Sequence, residues 1–255
     1  MRFASLGSGS QGNSLVVEAG RTRLLLDCGF GLAATVNRLG RLGLVPEDLS
    51  AIVVTHEHDD HIGGVARLAR RHRIPVWLTP GTLAGFEALF AGVEQISMVL
   101  NYGTFAVGDL HVQPYPVPHD AREPAQFVFG DGVRRLGVLT DAGCSTPHIE
   151  SVLSGCDALV LECNHDVEML RTSSYPQRLR ERIGGRFGHL DNGTAAALLS
   201  RLDNGKLKHL VAAHLSQENN RPDLARAALA AVMNCEPEWI AIADQAEGLA
   251  WRQIV

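Results

Sequence analysis

Three histidines stand among acidic residues in the segment Thr55 to His61, THEHDDH, directly behind the apolar run AIVV. Imidazole nitrogen and carboxylate oxygen are the donors that borderline-soft divalent metals favour, at roughly 2.0–2.2 Å for zinc. Alternate side chains of an extended segment point the same way, so His56 and His58 can converge on one ion. Asp60 and His61 come after the chain has turned and can serve a second. The alternative is a polar turn that happens to be rich in histidine. Imidazoles crowded together without a metal, however, disfavour one another's protonation and add nothing to a fold.

Further donors arrive in the same way, each ionisable and each directly behind an apolar strand-like run: His119 in YPVPHDA, Asp141 in LGVLTDAG and His214 in LVAAHLS. His165, in ECNHD behind DALVLE, competes with His119 for the set that holds His56 and His58, and otherwise suits a place behind the ligands or facing substrate. Two close divalent ions lower the pKa of a shared water and clamp the oxygens of the group being hydrolysed. That chemistry is hydrolysis by a metal-bound hydroxide, with no serine or cysteine nucleophile, and Asp60 and Asp141 would also orient the water. Protonation of the leaving group falls to Glu162, at the end of a strand-like run, and His189, just before a helix-like one. A carboxylate behind an imidazole favours the imidazolium that donates the proton. The alternative for HLDN is a helix start with Asp191 or Asn192 at the N-cap.

The elements that must place these residues alternate along the chain. RFASL, SLVVEA and RTRLLLD read as strands, Ala33 to Leu42 as a helix, AIVVT as a strand, GGVARLARRH as a helix and IPVWLT as a strand. The middle, from GTFAVGDLHVQPYPV to AQFVFGDGVRRLGVLTD, has turn signals between alternating apolar runs and predicts antiparallel pairing. Helix and strand patterns return in GTAAALLSRL, LKHLVAAH, LARAALAAVM and WIAIA. Strand-rich halves bracketed by helices predict an α/β fold of two sheets with helices outside, in one domain over residues 1–255; a doubly wound parallel sheet fits the antiparallel middle poorly.

A chain of 255 residues with 45% hydrophobic and 20% charged residues has the composition of a soluble globular protein. With 23 Lys+Arg against 28 Asp+Glu the net charge is -5, so no overall positive field recruits nucleic acid and anion binding must come from a local patch or a metal. No apolar run is long enough for a signal core or a bilayer span. The five cysteines (Cys28, Cys144, Cys156, Cys163 and Cys235) are odd in number and lack CxxC spacing, which predicts reduced thiols and a cytoplasmic location.

THEHDDH resembles the HxHxDH signature of the metallo-β-lactamase-fold hydrolases, and LLLDCG resembles the strand motif that precedes it there. GSGSQGNS, PHDAREPAQFVF, TDAG, LECNHDVEMLR, GHLDN and AHLSQENN extend the similarity over nearly the whole chain, to the YycJ/WalJ-type branch. This resemblance implies a four-layer αββα sandwich of two mixed sheets, with two divalent ions, Zn or Mn, at one edge. His56, His58 and His119 would hold one ion and Asp60, His61 and His214 the other, with Asp141 bridging and Asp27 supporting the loop from behind. It also implies a phosphodiesterase that acts on single-stranded DNA from a 5′ end, and Glu162 with His189 resembles the leaving-group pair of the tRNA 3′-processing nucleases.

From Val167 to Gly188, the arginines Arg171, Arg178, Arg180, Arg182 and Arg186 face only Glu168 and Glu181. Such a segment suits phosphate groups, with Arg171, Arg178, Arg182 and the neighbouring Asn164 as candidate substrate contacts and Tyr175 as a possible stacking residue. The alternative is a solvated helix face on which Glu181 pairs with Arg178 and Arg182. GSGSQGNS lacks the lysine of a phosphate-binding P-loop and leads into a strand, so it reads as a hairpin at the rim. His72, His111, His148 and His209 have no partner motif and read as structural. A lactonase or thioesterase would share the same metals but needs neither Glu162/His189 nor the arginines. The related oxygen-reducing di-iron proteins carry Glu where this chain has His58, and a non-catalytic module has no use for the full ligand set.

Overall fold

Along the parallel strands, successive apolar side chains go to opposite faces of a sheet, and both faces are covered. The computed structural model describes residues 1–100 and 103–255. In β3 (Thr22–Leu26), Leu24 and Leu26 enter one core and Leu25 another; in β4 (Ala51–Val53), Ala51 and Val53 part from Ile52 in the same way. A strand buried on both faces needs an unbroken apolar run, which is why AIVV shows no alternation with polar residues.

The first sheet has the order β14-β1-β2-β3-β4-β5-β6 and adds β1 (Arg2–Gly7), β2 (Ser14–Ala19), β5 (Val76–Leu78), β6 (Ile96–Met98) and β14 (Leu249–Gln253). β14, β1, β2 and β3 pair antiparallel, and β3 through β6 pair parallel. The second sheet runs β13-β12-β11-β10-β9-β8-β7, from β7 (Phe105–Val107), β8 (Leu110–Pro116), β9 (Ala125–Gly130) and β10 (Arg135–Leu139) to β11 (Ala158–Glu162), β12 (His209–Ala213) and β13 (Ala241–Ile242). Here β7 to β10 are antiparallel and β10 to β13 parallel. Both sheets are therefore mixed, and the doubly wound alternative is excluded.

Three apolar cores stack across the molecule. Phe3, Leu24 and Val53 of the first sheet meet Phe127, Val138 and Val211 of the second in the central one. On the outer face of the first sheet, Leu25 and Ile52 pack on Leu39 and Leu68 of the helices Leu32–Arg41 and Val65–His72. On the outer face of the second, Leu159 and Leu210 pack on Ile149, Leu198 and Leu229 of Pro147–Leu153, Asn192–Arg201 and Pro222–Met233. The architecture is the αββα sandwich. Each fully buried leucine, valine or phenylalanine contributes about 1.5–3 kcal/mol, so the central core alone commits the two sheets to one another.

Some elements carry no clear periodicity in the sequence. β6, β14 and the one-turn helices Pro80–Leu83 and Glu87–Phe90 are additions, and WIAIA yields only the two residues of β13. Among the described residues, no helix is long and apolar enough to cross a membrane.

Candidate metal centre and active site

The parallel registers align the carboxyl ends of β3, β4, β10, β11 and β12 along one edge of the sandwich, and β8 runs in the same sense as β10. Asp27 follows β3, His56 follows β4, His119 follows β8, Asp141 follows β10, Glu162 ends β11 and His214 follows β12. The crevice outside strand carboxyl ends is where α/β proteins place ligands. Three of these residues turn off their strands with left-handed backbone: Asp27 at φ 59°, Asp141 at φ 53° and His214 at φ 56°. Among the described residues, the other two non-glycine residues with positive φ, Arg73 and Asn234, merely end helices. Left-handed backbone outside glycine is costly and persists where surrounding contacts impose it.

Two ligand sets meet at this edge. His56 Nε2 lies 3.1 Å from His58 Nδ1, which lies 3.2 Å from His119 Nε2. Two nitrogens bound to one tetrahedral zinc at 2.0–2.1 Å would be about 3.3 Å apart. In the second set, Asp60 Oδ2 is 3.4 Å from both His61 Nε2 and His214 Nε2. Asp141 faces both sets, with Oδ2 3.1 Å from His61 Nε2 and Oδ1 3.4 Å from His214 Nε2 and 3.9 Å from His119 Nε2. Asp141 Oδ2 is buried and has no hydrogen-bond partner among the described residues, although His61 Nε2 is so close. Two atoms that approach without hydrogen-bond alignment behave as two ligands of one ion do. The donor set and its spacing fit divalent metals.

Neighbours fix each ring. His61 Nδ1 donates to Asp27 Oδ2 at 2.8 Å, and Asp27 also accepts from the Thr55 amide and hydroxyl, so Nε2 of His61 is left for an ion. His119 Nδ1 donates to the Gly188 carbonyl at 3.1 Å. The THEHDDH loop lies so close to the 27–30 turn that a Cβ on Gly29 would come 1.9 Å from the Asp60 carbonyl; only glycine fits there.

The two sets differ electrically. Burial pushes His56 well below the usual histidine range, with His61 and His119 adding to it, and burial likewise lowers His119. Around the second set, burial opposes protonation but the carboxylates outweigh it: Asp141, Asp27 and Asp60 raise His61 well above its usual value, and Asp141 and Asp60 raise His214 to about 9. Burial pulls Asp141 the other way, yet His214 and His61 hold it well below the carboxylate range. The carboxylate-rich half is thus a site that attracts positive charge.

His189 stands beside this centre. Its Nδ1 donates to Glu162 Oε1 at 2.8 Å, and its ring stacks on His214 with centroids 5.3 Å apart. Glu162, fully buried, also accepts from the amides of Ala142 and Leu190, so its position is fixed. Asp191 caps the helix Asn192–Arg201 by accepting from the Gly193 and Thr194 amides, which places a helix start and the His189–Glu162 pair in the same motif. The accessible side of the site consists of His58, Asp60, Asp120 and His189, whose side chains are 20–32% exposed.

Several sequence expectations need correction. Asn164 is buried, with its amide 3.1 Å from His214 Nδ1 and donating to the His214 carbonyl, so it sits behind that ring rather than against substrate. Arg171 forks onto Glu168, and Arg180 donates to the Arg171 and Ser173 carbonyls. Glu181 accepts from Gln177 and forms no ion pair with Arg178 or Arg182 among the described residues; Arg182 Nε instead meets Asp120 Oδ2 at 2.6 Å. His165 is buried against Asn164 and belongs to none of the donor clusters found among the described residues, whereas His119 does.

Three residues escaped the sequence reading. Asn13 Nδ2 lies 3.1 Å from both Asp60 Oδ2 and His61 Nε2, and Ser8 Oγ accepts from the His214 amide while donating to Asn13 Oδ1. The GSGSQGNS hairpin thereby holds both halves of the second set. Asp120, adjacent to His119, has Oδ1 3.8 Å from His58 Nε2. Its position beside a candidate ligand was the only available signal.

A family model described as a beta-lactamase superfamily domain matches residues 22–214. The exodeoxyribonuclease YycJ of Bacillus anthracis is 38% identical over 91% of this chain and 89% of its own length. The exodeoxyribonuclease WalJ of Streptococcus pneumoniae is 35% identical over 88% of this chain and 85% of its own length. The chain belongs to the metallo-β-lactamase-fold family. Solved members share the fold across their whole length: YhfI from Bacillus subtilis gives a TM-score of 0.77 at 17% identity, covering 99% of both chains. Zn2+-bound PqqB from Methylobacterium extorquens gives 0.75 at 20% identity, covering 99% of this chain and 100% of its own. As a member of this family, with clusters of candidate metal ligands at one edge of its sheets, the protein is a metal-dependent hydrolase.

Proposed function

We propose that this metallo-β-lactamase-fold protein is a dinuclear phosphodiesterase, an exonuclease that shortens single-stranded DNA from a 5′ end. The observation that carries the reading is the His189–Glu162 couple at 2.8 Å, set against a centre in which Asp141 touches both ligand sets. The two relatives named exodeoxyribonuclease, similar over nearly the full chain, support DNA as substrate. Polarity rests on the branch that the motifs resemble. Five free cysteines, three of them buried, support a reducing cytoplasmic compartment.

His56, His58 and His119 would hold one Zn or Mn ion, and Asp60, His61 and His214 the other, with Asp141 shared. When bound, such ions lower the pKa of water toward neutrality and clamp phosphoryl oxygens. The chain's own residues do the rest. Asp27 and Gly188 set the tautomers of His61 and His119. Asp60, partly exposed at the mouth, orients the attacking water. His189, with Nδ1 committed to Glu162, holds a proton on Nε2 and releases it to the leaving oxygen as the P–O bond breaks; Glu162 stabilises the imidazolium. A lactone or thioester hydrolase would share the ions but leave this couple without a task.

Metal-loaded enzyme offered end-labelled single- and double-stranded DNA and RNA, with and without a 5′-phosphate, should shorten single-stranded DNA from the 5′ end. Turnover of a lactone or thioester alone would overturn the reading. His189→Ala should retain its metal and lose about 10²–10⁴-fold in cleavage of a strand with an unactivated leaving group. Its loss on an activated p-nitrophenyl phosphodiester should be much smaller; equal losses would remove the acid role.

A further inference from the structure

Among the described phenylalanines, tyrosines and tryptophans only Phe187 and Trp239 are exposed, at 56% and 41%, and Phe187 stands two residues before His189. A single exposed phenylalanine is ordinary on a surface. Its setting is what singles it out. The Phe187 carbonyl accepts from the Asp120 amide at 3.0 Å, and the next carbonyl, Gly188, accepts from Nδ1 of His119. The segment is held from the other side as well, for the Gly188 amide donates to Gly185 and the His189 amide to Ile183. The turn presses onto the helix Gln177–Ile183 so tightly that a Cβ on Gly188 would stand 2.2 Å from the carbonyls of Arg182 and Ile183. Phe187 therefore stands on rigid backbone between a candidate metal ligand and the candidate acid, beside Asp120 at the accessible side of the site. Arg186, next to it, is exposed and has no ion pair or hydrogen bond among the described residues.

We propose that the Phe187 ring is the platform on which a nucleobase of single-stranded substrate stacks, next to the phosphate being cleaved, with Arg186 facing the strand's backbone. The assignment rests on the nuclease reading above and specifies how a strand is gripped. Every base offers a π-face, so an aromatic ring at the mouth binds strands without demanding a sequence. Rigid backbone matters here, because a ring already in place loses little conformational freedom when a base lands on it. The tight turn around Gly188 also ties the Phe187 backbone to His119 and His189, so a stacked base registers its own phosphate against the site.

The test is equilibrium binding of a fluorescein-labelled, 5′-phosphorylated oligothymidylate whose phosphorothioate linkages resist cleavage, measured by anisotropy on the metal-loaded protein. Wild type is compared with Phe187→Ala, Phe187→Leu and Phe187→Trp, on the normal strand and on one whose first nucleotides lack bases. On the normal strand, Phe187→Ala and Phe187→Leu should bind about 5- to 100-fold more weakly than wild type, and Phe187→Trp should bind at least as well. Removing the bases should weaken wild type by a similar factor and the alanine and leucine variants hardly further. The leucine variant keeps the apolar bulk and isolates the ring face, and the baseless strand queries wild type itself should a variant fail to fold. The proposal falls if wild type binds both strands equally, or if the leucine variant matches wild type on the normal strand. Failure of wild type to bind or cut any oligonucleotide, with turnover of a lactone or thioester, would instead overturn the nuclease reading, and the platform with it.

Discussion

Asp27 touches no substrate-facing atom, yet it decides which nitrogen of His61 is free. Its carboxylate accepts a hydrogen bond from Nδ1 at 2.8 Å and is itself held by the Thr55 amide and hydroxyl. Removing such a partner typically costs 10- to 100-fold in metal affinity. Asp27→Ala should therefore weaken zinc binding by about that factor in a competition titration, with the central core intact; unchanged affinity would make Asp27 a packing residue. The cysteines give a second residue-scale expectation. Burial raises the thiols of Cys28 and Cys156 to about 11 and pushes Cys163 higher still, while Cys144 and Cys235 are partly exposed. Iodoacetamide at pH 8 should label Cys144 and Cys235 in the folded protein and leave the other three until it is unfolded. Rapid labelling of Cys163 would contradict the closed packing of β11.

Elements set the site by where they stop. β3, β4, β10, β11 and β12 each deliver an ionisable residue at or just past their carboxyl ends, and three of those ends turn left-handed, so strand register fixes ligand position. The first sheet holds its register partly through Glu18, which lies opposite Arg2 of β1 and Arg23 of β3 and binds them at 2.7 and 2.6 Å. Burial raises the Glu18 carboxyl, but the two guanidiniums outweigh it and hold it below its ordinary 4.5. A depressed carboxylate stabilises the fold fully above its unfolded pKa and loses that contribution as pH falls through the folded value. Glu18→Gln should then cost about 0.5–1 kcal/mol in denaturant melts at pH 7, with the difference shrinking as pH falls below the ordinary 4.5. A cost that persists in acid would mean packing rather than charge.

At the scale of the molecule, sequence legibility follows the range of the interaction that fixes each part. AIVV and LVAA announce buried strands because burial on two faces demands apolar runs, and the donors after them are visible for the same reason. β14 does not announce itself: LAWRQ is half exposed and becomes a strand only by pairing with β1, about 250 residues away in the chain. Asn13 and Ser8 were invisible as site residues because their partners, Asp60 and His214, lie in other elements. Asn164 misled because its place beside His165 says nothing of the His214 ring it meets. The contacts of Asn13, Ser8 and Asn164 converge on the donor clusters proposed to hold two cations. Metal content per chain, measured by elemental analysis after dialysis in zinc or manganese, tests that most directly. About two equivalents are expected for wild type, with a sharp drop in His58→Ala. Content near zero in wild type, or unchanged content in the variant, would contradict it.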